Sequence, residues 1–346
     1  MSPGINLNEL ARRFKVSRAT VARILNRNII YTRPTYRRRA DKIRRAALRM
    51  GYRPNAAAKA VSTGRFGHVG LLMGTHYERS NFSRELLRGI HDGLSPHRIH
   101  YSVWFLDDSE LSDQTSLPRF LSEQLMDGLL INYTHELPHH FRAAVKRVAM
   151  PAVWLNVKEQ GDCVYPDDLQ AGRKAVQYLC DLGHRQLAFA DFVHGPENPF
   201  RAHYSVFDRR QGVEEGMAEM EVKHRFLTVR RALPGPEAIQ AAAAFLREPP
   251  IPTAVICHAA RDAAICHAAA VQLGISVPRD LSLLTFGPDR LNESIFDLTH
   301  FIEPNQAMGR MAAERLIACI NGEADPEFSR PVPYQLKTGN STTTPP

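Results

Sequence analysis

The stretch NLNELARRFKVSRATVARIL, residues 6–25, decides how the chain begins to fold. Leu7, Leu10, Ala11 and Phe14 recur at helical spacing, and Val21, Ile24 and Leu25 do so again after a break at Lys15–Ser17. Asn6, with Glu9 following, and Ser17 are residue types that cap helix N-termini by accepting orphaned backbone N–H groups. The spacing predicts two short helices joined by a tight turn, a helix-turn-helix. Arg18, Ala19 and Arg23 face away from the apolar set of the second helix. Such a helix can lie in a major groove with its arginines at guanine edges or phosphates. From this pattern alone, a helical hairpin with a solvated basic face reads equally well.

Charge favours the first reading. The chain has 346 residues and a formal net charge of +8. Residues 1–66 hold 17 Lys and Arg against two acids, Glu9 and Asp41, whereas the remainder holds 27 against 34. A basic head on a mildly acidic body is the electrostatic footprint of nucleic-acid binding confined to one module. Five widely spaced cysteines, an odd number, read as reduced and buried thiols in a cytoplasmic protein. No apolar leader opens the sequence and no run approaches a membrane span, so no membrane partner is expected.

After Asn26 a basic connection leads to a third helix, from about Thr35 to Met50, with Ile43, Ala46, Ala47 and Met50 as its apolar stripe. Arg37, Arg38, Arg39, Arg44 and Arg45 are placed to face phosphates. Gly51 and Arg53-Pro54 end the helix. The alanine-rich piece NAAAKAVSTGR (55–65) is too short to be a stable isolated helix, which suits a hinge that orders on binding.

From Val69 apolar strand-like runs appear at 69–73, 101–106, 128–133, 152–157, 187–192, 225–229, 254–258 and 281–286. Helical patterns lie between most of them: Ser83–Gly93, Leu169–Leu182, Arg209–Met220 and Pro236–Leu246. Continuous apolar strands alternating with helices imply parallel sheets covered on both faces. Such a length exceeds one core, so two similar α/β subdomains are expected, with any ligand in the crevice at the carboxyl ends of the strands. The tail from Thr338 lacks apolar anchors and is expected to be loose.

Phosphate-binding glycine loops, a zinc-protease motif and a nucleophile elbow are all missing. The pairs Cys257-His258 and Cys266-His267 offer two thiols and two imidazoles. Adjacent Cys-His residues do not easily aim at one ion, and the pairs read as buried thiols with incidental histidines. No metal or cofactor is therefore expected.

Several motifs now stand in a specific order: LNELARRFKVSRATVARILN (7–26), GYRPNAAAKAV (51–61), ELLRGI (85–90), DGLLI (127–131), LGHRQLAF (182–189), GISVPRDLSLLTF (274–286) and MGRMAAERL (308–316). With them the chain resembles the LacI/GalR family of bacterial transcription repressors along nearly its whole length. The resemblance implies a helix-turn-helix DNA-binding head (1–54), a hinge helix and linker (55–66), and a periplasmic-binding-protein-like core (67–338). That core would comprise an N-subdomain at about 67–162 and 304–324 and a C-subdomain at about 163–303 and 325–338, followed by a loose tail (339–346). It also implies a homodimer on a palindromic double-stranded DNA operator, and a small-molecule effector, a sugar or another ligand, that shifts DNA affinity.

Carried over residue by residue, the family pattern makes Arg18, Ala19 and Arg23 base readers, with Ser17, Thr20 and Asn26 near phosphates. Asn55, Ala58, Lys59 and Val61 fall at minor-groove positions, with Val61 where the family has a Leu wedge. The turn glycine of the family is Lys15 here, which implies a left-handed backbone at that residue. In the core, Arg209 matches a ligand-binding arginine, Asn156 stands where many members have Asp, Phe82 matches an aromatic wall residue and Tyr77 lies nearby. The family's Asn-Asp pair is Ala259-Ala260 here, and its paired aspartates have become Gly287-Pro288, with Asp289 one step further on. Lost hydrogen bonds of this kind argue against a standard sugar effector, and leave either an acidic ligand, which Arg209 among histidines suits, or a cleft that binds nothing tightly. Two other functions compete with a regulator: a cytoplasmic small-molecule sensor without regulated DNA binding, and an α/β enzyme. The basic head argues against the first, and the missing catalytic motifs argue against the second.

Overall fold

The computed structural model describes residues 5–25, 32–53, 60, 64–75, 83–106, 121, 125–133, 139–158, 161–194, 203–229, 232–289, 297–323, 325 and 327–346. The chain divides into two compact units, Met1–Phe66 and Gly67–Pro346.

The first unit is helical. Helices α1 (Leu7–Phe14), α2 (Arg18–Leu25) and α3 (Pro34–Arg49) enclose a small core of Leu10, Ala11, Val21, Ile24, Ala40, Ile43 and Ala47. Asn6 and Glu9 form the reciprocal cap of α1. The Asn6 carboxamide accepts from the N–H groups of Asn8 and Glu9, and the Glu9 carboxylate accepts from the Asn6 N–H. Ser17 caps α2 by accepting from the Thr20 N–H at 3.1 Å. Between the helices Lys15 adopts φ 49 and ψ 52, the left-handed turn expected there.

The second unit carries two six-stranded sheets. The first runs β11 (Ser329–Val332), β5 (Cys163–Pro166), β4 (Ala152–Leu155), β3 (Leu129–Asn132), β1 (His68–Gly74), β2 (His100–Leu106), and every pairing in it is parallel. Helices α4 (Arg84–Leu94) and α5 (His139–Val148) belong to this half. The second sheet runs β12 (Gln335–Lys337), β10 (Thr299–Ile302), β9 (Ser282–Gly287), β8 (Ala254–Cys257), β6 (Gln186–Asp191), β7 (Lys223–Thr228), parallel except where β12 meets β10. Helices α6 (Asp168–Asp181), α7 (Tyr204–Glu219), α8 (Gly235–Arg247) and α9 (Ala260–Gln272) cover it, and α10 (Asn305–Ile320) returns to pack on α4 and the first sheet. All eight anticipated strands are present. The chain passes between the sheets after β5, after β10 and after β11.

Two expectations need correction. Strands β5 and β11 pair with each other in the first sheet, so the subdomain crossings lie after Pro166 and between Val332 and Gln335, not at 163 and 325. The tail is anchored. Ser341 is fully buried, accepts from the Thr299 N–H at 2.8 Å and donates to the Leu283 carbonyl at 2.6 Å. The N–H groups of Gly339, Asn340 and Thr343 are taken by Thr299, Asp297 and Ser282. Apolar side chains were not required, because backbone groups and hydroxyls bind this segment.

Among the described residues no helix is long and apolar enough to cross a membrane. Cys163, Cys180, Cys257 and Cys266 are buried free thiols and Cys319 is half-buried.

Candidate functional site

A cavity of about 240 Å³ opens between the two sheets of the second unit. Its walls come from strand ends and the residues after them: Asn132 on β3, Asn156 after β4, Pro166 on β5, His258 after β8 and Glu303 after β10. The crevice thus lies at the carboxyl ends of parallel strands, where open α/β sheets leave a gap.

Arg209, on α7, dominates the floor. Its guanidinium donates through Nε and Nη2 to Asp168 Oδ1 at 2.9 and 2.6 Å, through Nη2 to the Tyr334 hydroxyl at 3.0 Å and through Nη1 to the His258 carbonyl at 2.7 Å. Below it lies the Phe286 ring, 4.6 Å from the guanidinium carbon. The register that joins Arg209 to Asp168 is set by glycines. A Cβ on Gly212 would stand 2.0 Å from the Leu169 carbonyl oxygen, and one on Gly172 would stand 2.5 Å from that of Arg209. Only bare backbones let α6 and α7 approach this closely.

The arginine's charge is therefore answered inside the protein. Burial pushes the Asp168 carboxyl up, against the pull of Arg209 and the Tyr334 hydroxyl. Its second oxygen, Oδ2, is buried and has no hydrogen-bond partner among the described residues. Arg209 therefore meets the cavity already paired with Asp168. Asp168, Glu303, Asn156 and the other polar groups leave the cavity rich in acceptors.

Asn156 lines the same cavity in a left-handed conformation, φ 56, which Asn tolerates better than most residues. Its carbonyl accepts from His203 Nε2 at 2.7 Å and its side-chain oxygen from the Tyr204 hydroxyl at 3.3 Å. Tyr77 and Phe82 lie outside the described residues. Ala259 lines the cavity where an amide was looked for, and Asp289 pairs instead with Lys337 at 2.9 Å. Asp168, Tyr334 and His194 were missed by sequence reasoning, and His258 was noticed but read as incidental. Their one signal was position, at or just beyond strand ends.

On the C-subdomain wall Asp191 Oδ1 accepts from the N–H groups of Val193 and His194 and lies 3.1 Å from His194 Nδ1. Burial opposes the Asp191 charge, yet these bonds and the nearby His258 hold it well below the usual carboxylate range. Burial and the charge of Arg209 push His258 well below the usual imidazole range. Burial and the Asp191 carboxylate push Asp262 up to about 7. Cys257 and Cys266 belong to a buried apolar cluster, and burial raises the Cys257 thiol.

In the helical unit, Ser17, Arg18, Ala19 and Arg23 are exposed and Thr20 is half-buried, while Val21 and Ile24 face the core. Arg37, Arg38, Arg39 and Arg45 are exposed on α3. Arg44 differs from expectation: its Nε donates to the Ile24 carbonyl at 2.9 Å, satisfying the end of α2. Asn26, Asn55, Ala58, Lys59 and Val61 lie outside the described residues.

Residues 176–342 match the model of the periplasmic binding protein-like domain. Catabolite control protein A of Priestia megaterium is 27% identical over 344 residues, covering 98% of this chain and 99% of that protein. The HTH-type transcriptional regulator AglR of Rhizobium meliloti is 27% identical, covering 93% of this chain and 89% of its own. The fold matches the Lac repressor dimer bound to operator and an anti-inducer with a TM-score of 0.74 at 20% identity, over 99% of this chain and 100% of that one. It also matches the regulator CelR in complex with cellobiose, with a TM-score of 0.62 at 21% identity, over 97% and 99%. The chain is thus similar over nearly its whole length to catabolite control protein A, and it shares the fold of the Lac repressor with a periplasmic-binding-protein-like core.

Proposed function

We propose that this chain is a ligand-responsive, sequence-specific DNA-binding transcriptional regulator, a repressor rather than an enzyme, acting as a homodimer on a palindromic operator. The observation that carries the reading is the helical unit. There Arg18, Ala19 and Arg23 share the exposed face of a helix whose other face is locked into a core, inside a segment holding 17 basic residues. This face enters the major groove, with Arg18 and Arg23 at base edges and Ser17, Thr20 and Asn26 near phosphates. Asn55, Ala58, Lys59 and Val61 act in the minor groove, with Val61 as the wedge; these four roles rest on the family resemblance.

The effector occupies the cavity beside Asn156 and Arg209, with Tyr77 and Phe82 completing its wall by resemblance. Because Asp168 neutralises Arg209 and keeps Oδ2 for a donor, the effector is a neutral or cationic molecule rich in N–H or O–H groups. Homology to regulators such as catabolite control protein A supports the reading. Selecting bound sequences from random DNA, then screening neutral polyols, amines and anions for a shift in that binding, tests it. Enrichment of a palindrome and a response to a donor-rich ligand are expected. No enriched sequence, or a response to anions alone, would overturn it.

A further inference from the structure

The cluster at the strand ends of the second sheet has a use that DNA reading does not require. Asp191 closes β6, His194 follows it, and His258 follows β8, the strand bonded beside β6. One potential ligand atom of each lies within 4.8 Å of those of the other two. A tetrahedral ion with bonds of about 2.1 Å keeps its donors about 3.4 Å apart. Asp191 and His194 already stand at 3.1 Å. No pair therefore has to close by more than about 1.4 Å, within reach of a side-chain rotation.

A second observation points the same way. His258 is only 4% exposed, and its Nδ1 has no hydrogen-bond partner among the described residues. Native interiors pair nearly all their buried polar groups, so an unpartnered imidazole nitrogen on a buried residue that lines the cavity asks for a ligand. The rings of His194 and His258 meet at 4.7 Å between centroids, which keeps both imidazoles at one place.

We infer that Asp191, His194 and His258 bind one divalent transition-metal cation of the zinc, cobalt and nickel class on the wall of the cavity. Two imidazoles and one carboxylate select such ions, whereas magnesium and calcium prefer oxygen ligands throughout. Glu303 on the cavity wall adds a carboxylate, and the nearby Arg209 is already bonded to Asp168. The cation takes the place of the contact between His194 Nδ1 and Asp191. Three protein ligands leave a further coordination position for water or for a polar atom of a molecule in the cavity. Cation occupancy would then alter which molecules the cavity holds.

Titration of the full chain with Co²⁺, followed by its visible d–d absorption and checked by competition with Zn²⁺, tests the site. One equivalent should bind. His194→Ala and His258→Ala should each weaken binding by at least the 10–100-fold that loss of even an outer-shell partner costs. Both variants should keep the wild-type circular dichroism spectrum, and Mg²⁺ should not compete. Absence of a one-equivalent phase, or equal Co²⁺ affinity in wild type and both folded variants, would overturn the site. Neither result bears on DNA binding, which is measured separately.

Discussion

Arg209 and Asp168, 41 residues apart in the chain, form one buried ion pair through two N–H groups on a single carboxylate oxygen. Removing one partner strands the other charge away from water. Arg209→Ala is therefore expected to cost about 3–5 kcal/mol. Arg209→Met combined with Asp168→Leu should recover most of that loss, because apolar replacements of similar volume are often neutral. Urea unfolding of the two variants measures both. A single variant as stable as wild type would show that the pair contributes little.

The same pair depends on how closely α6 and α7 approach. A methyl at residue 212 meets the Leu169 carbonyl at 2.0 Å, which a rigid backbone cannot absorb. Gly212→Ala should destabilise by about 1–3 kcal/mol through overpacking and shift Arg209 away from the cavity. Gly235→Ala, where a Cβ meets nothing within 4 Å, is the control and should change stability little.

The tail offers a pH test. His184 is 1% exposed, lies 2.8 Å from both Thr253 Oγ1 and the Thr343 carbonyl, and is pushed below the usual imidazole range by burial. In the unfolded chain it takes up a proton near pH 6.5, while the folded protein does so only at lower pH. The unfolded state then binds more protons, so stability falls as pH drops below about 6.5. His184→Gln should flatten that part of the stability curve. An unchanged slope would remove His184 from the account. Ser341→Ala, which leaves the Thr299 N–H and the Leu283 carbonyl without a partner, should cost about 1–3 kcal/mol at any pH.

How much of this was legible in the sequence follows from which residues carried it. Runs such as AVIC (254–257) and LLIN (129–132) are buried on both faces and declare themselves by continuous apolarity. SRPV (329–332) and QLK (335–337) are short edge strands with exposed polar positions, and THFI (299–302) buries Thr and His, so no apolar run announces them. In the head, caps and periodicity both lie within a few residues, and the helices emerge as expected. Arg44 escaped because its partner, the Ile24 carbonyl, is 20 residues away. The crevice and Arg209 were anticipated, but the partners of Arg209 escaped for the same reason: Asp168, His258 and Tyr334 converge on it only once two sheets have formed.

The basic residues of the head divide by task. Arg44→Ala should lower the thermal stability of the helical unit, because it removes the bond to the end of α2. Arg18→Ala and Arg23→Ala should leave stability near wild type. Each should cost about 1–3 kcal/mol on the preferred operator and relax one position of each half-site. Arg38→Ala should weaken all sequences alike. Identical behaviour of Arg18→Ala and Arg38→Ala on specific and random DNA would refute the assignment of the recognition helix.

The central claim, that the head reads DNA, is tested most directly by wild-type binding to the selected operator and to random duplex across a salt series. With about 10 phosphate contacts in a dimer, the slope of log K against log salt should lie between about −7 and −10. The operator should be preferred by about 10³-fold or more. A slope shallower than about −3 together with equal affinity for both duplexes would contradict the claim and leave the 17 basic residues as a solvated surface.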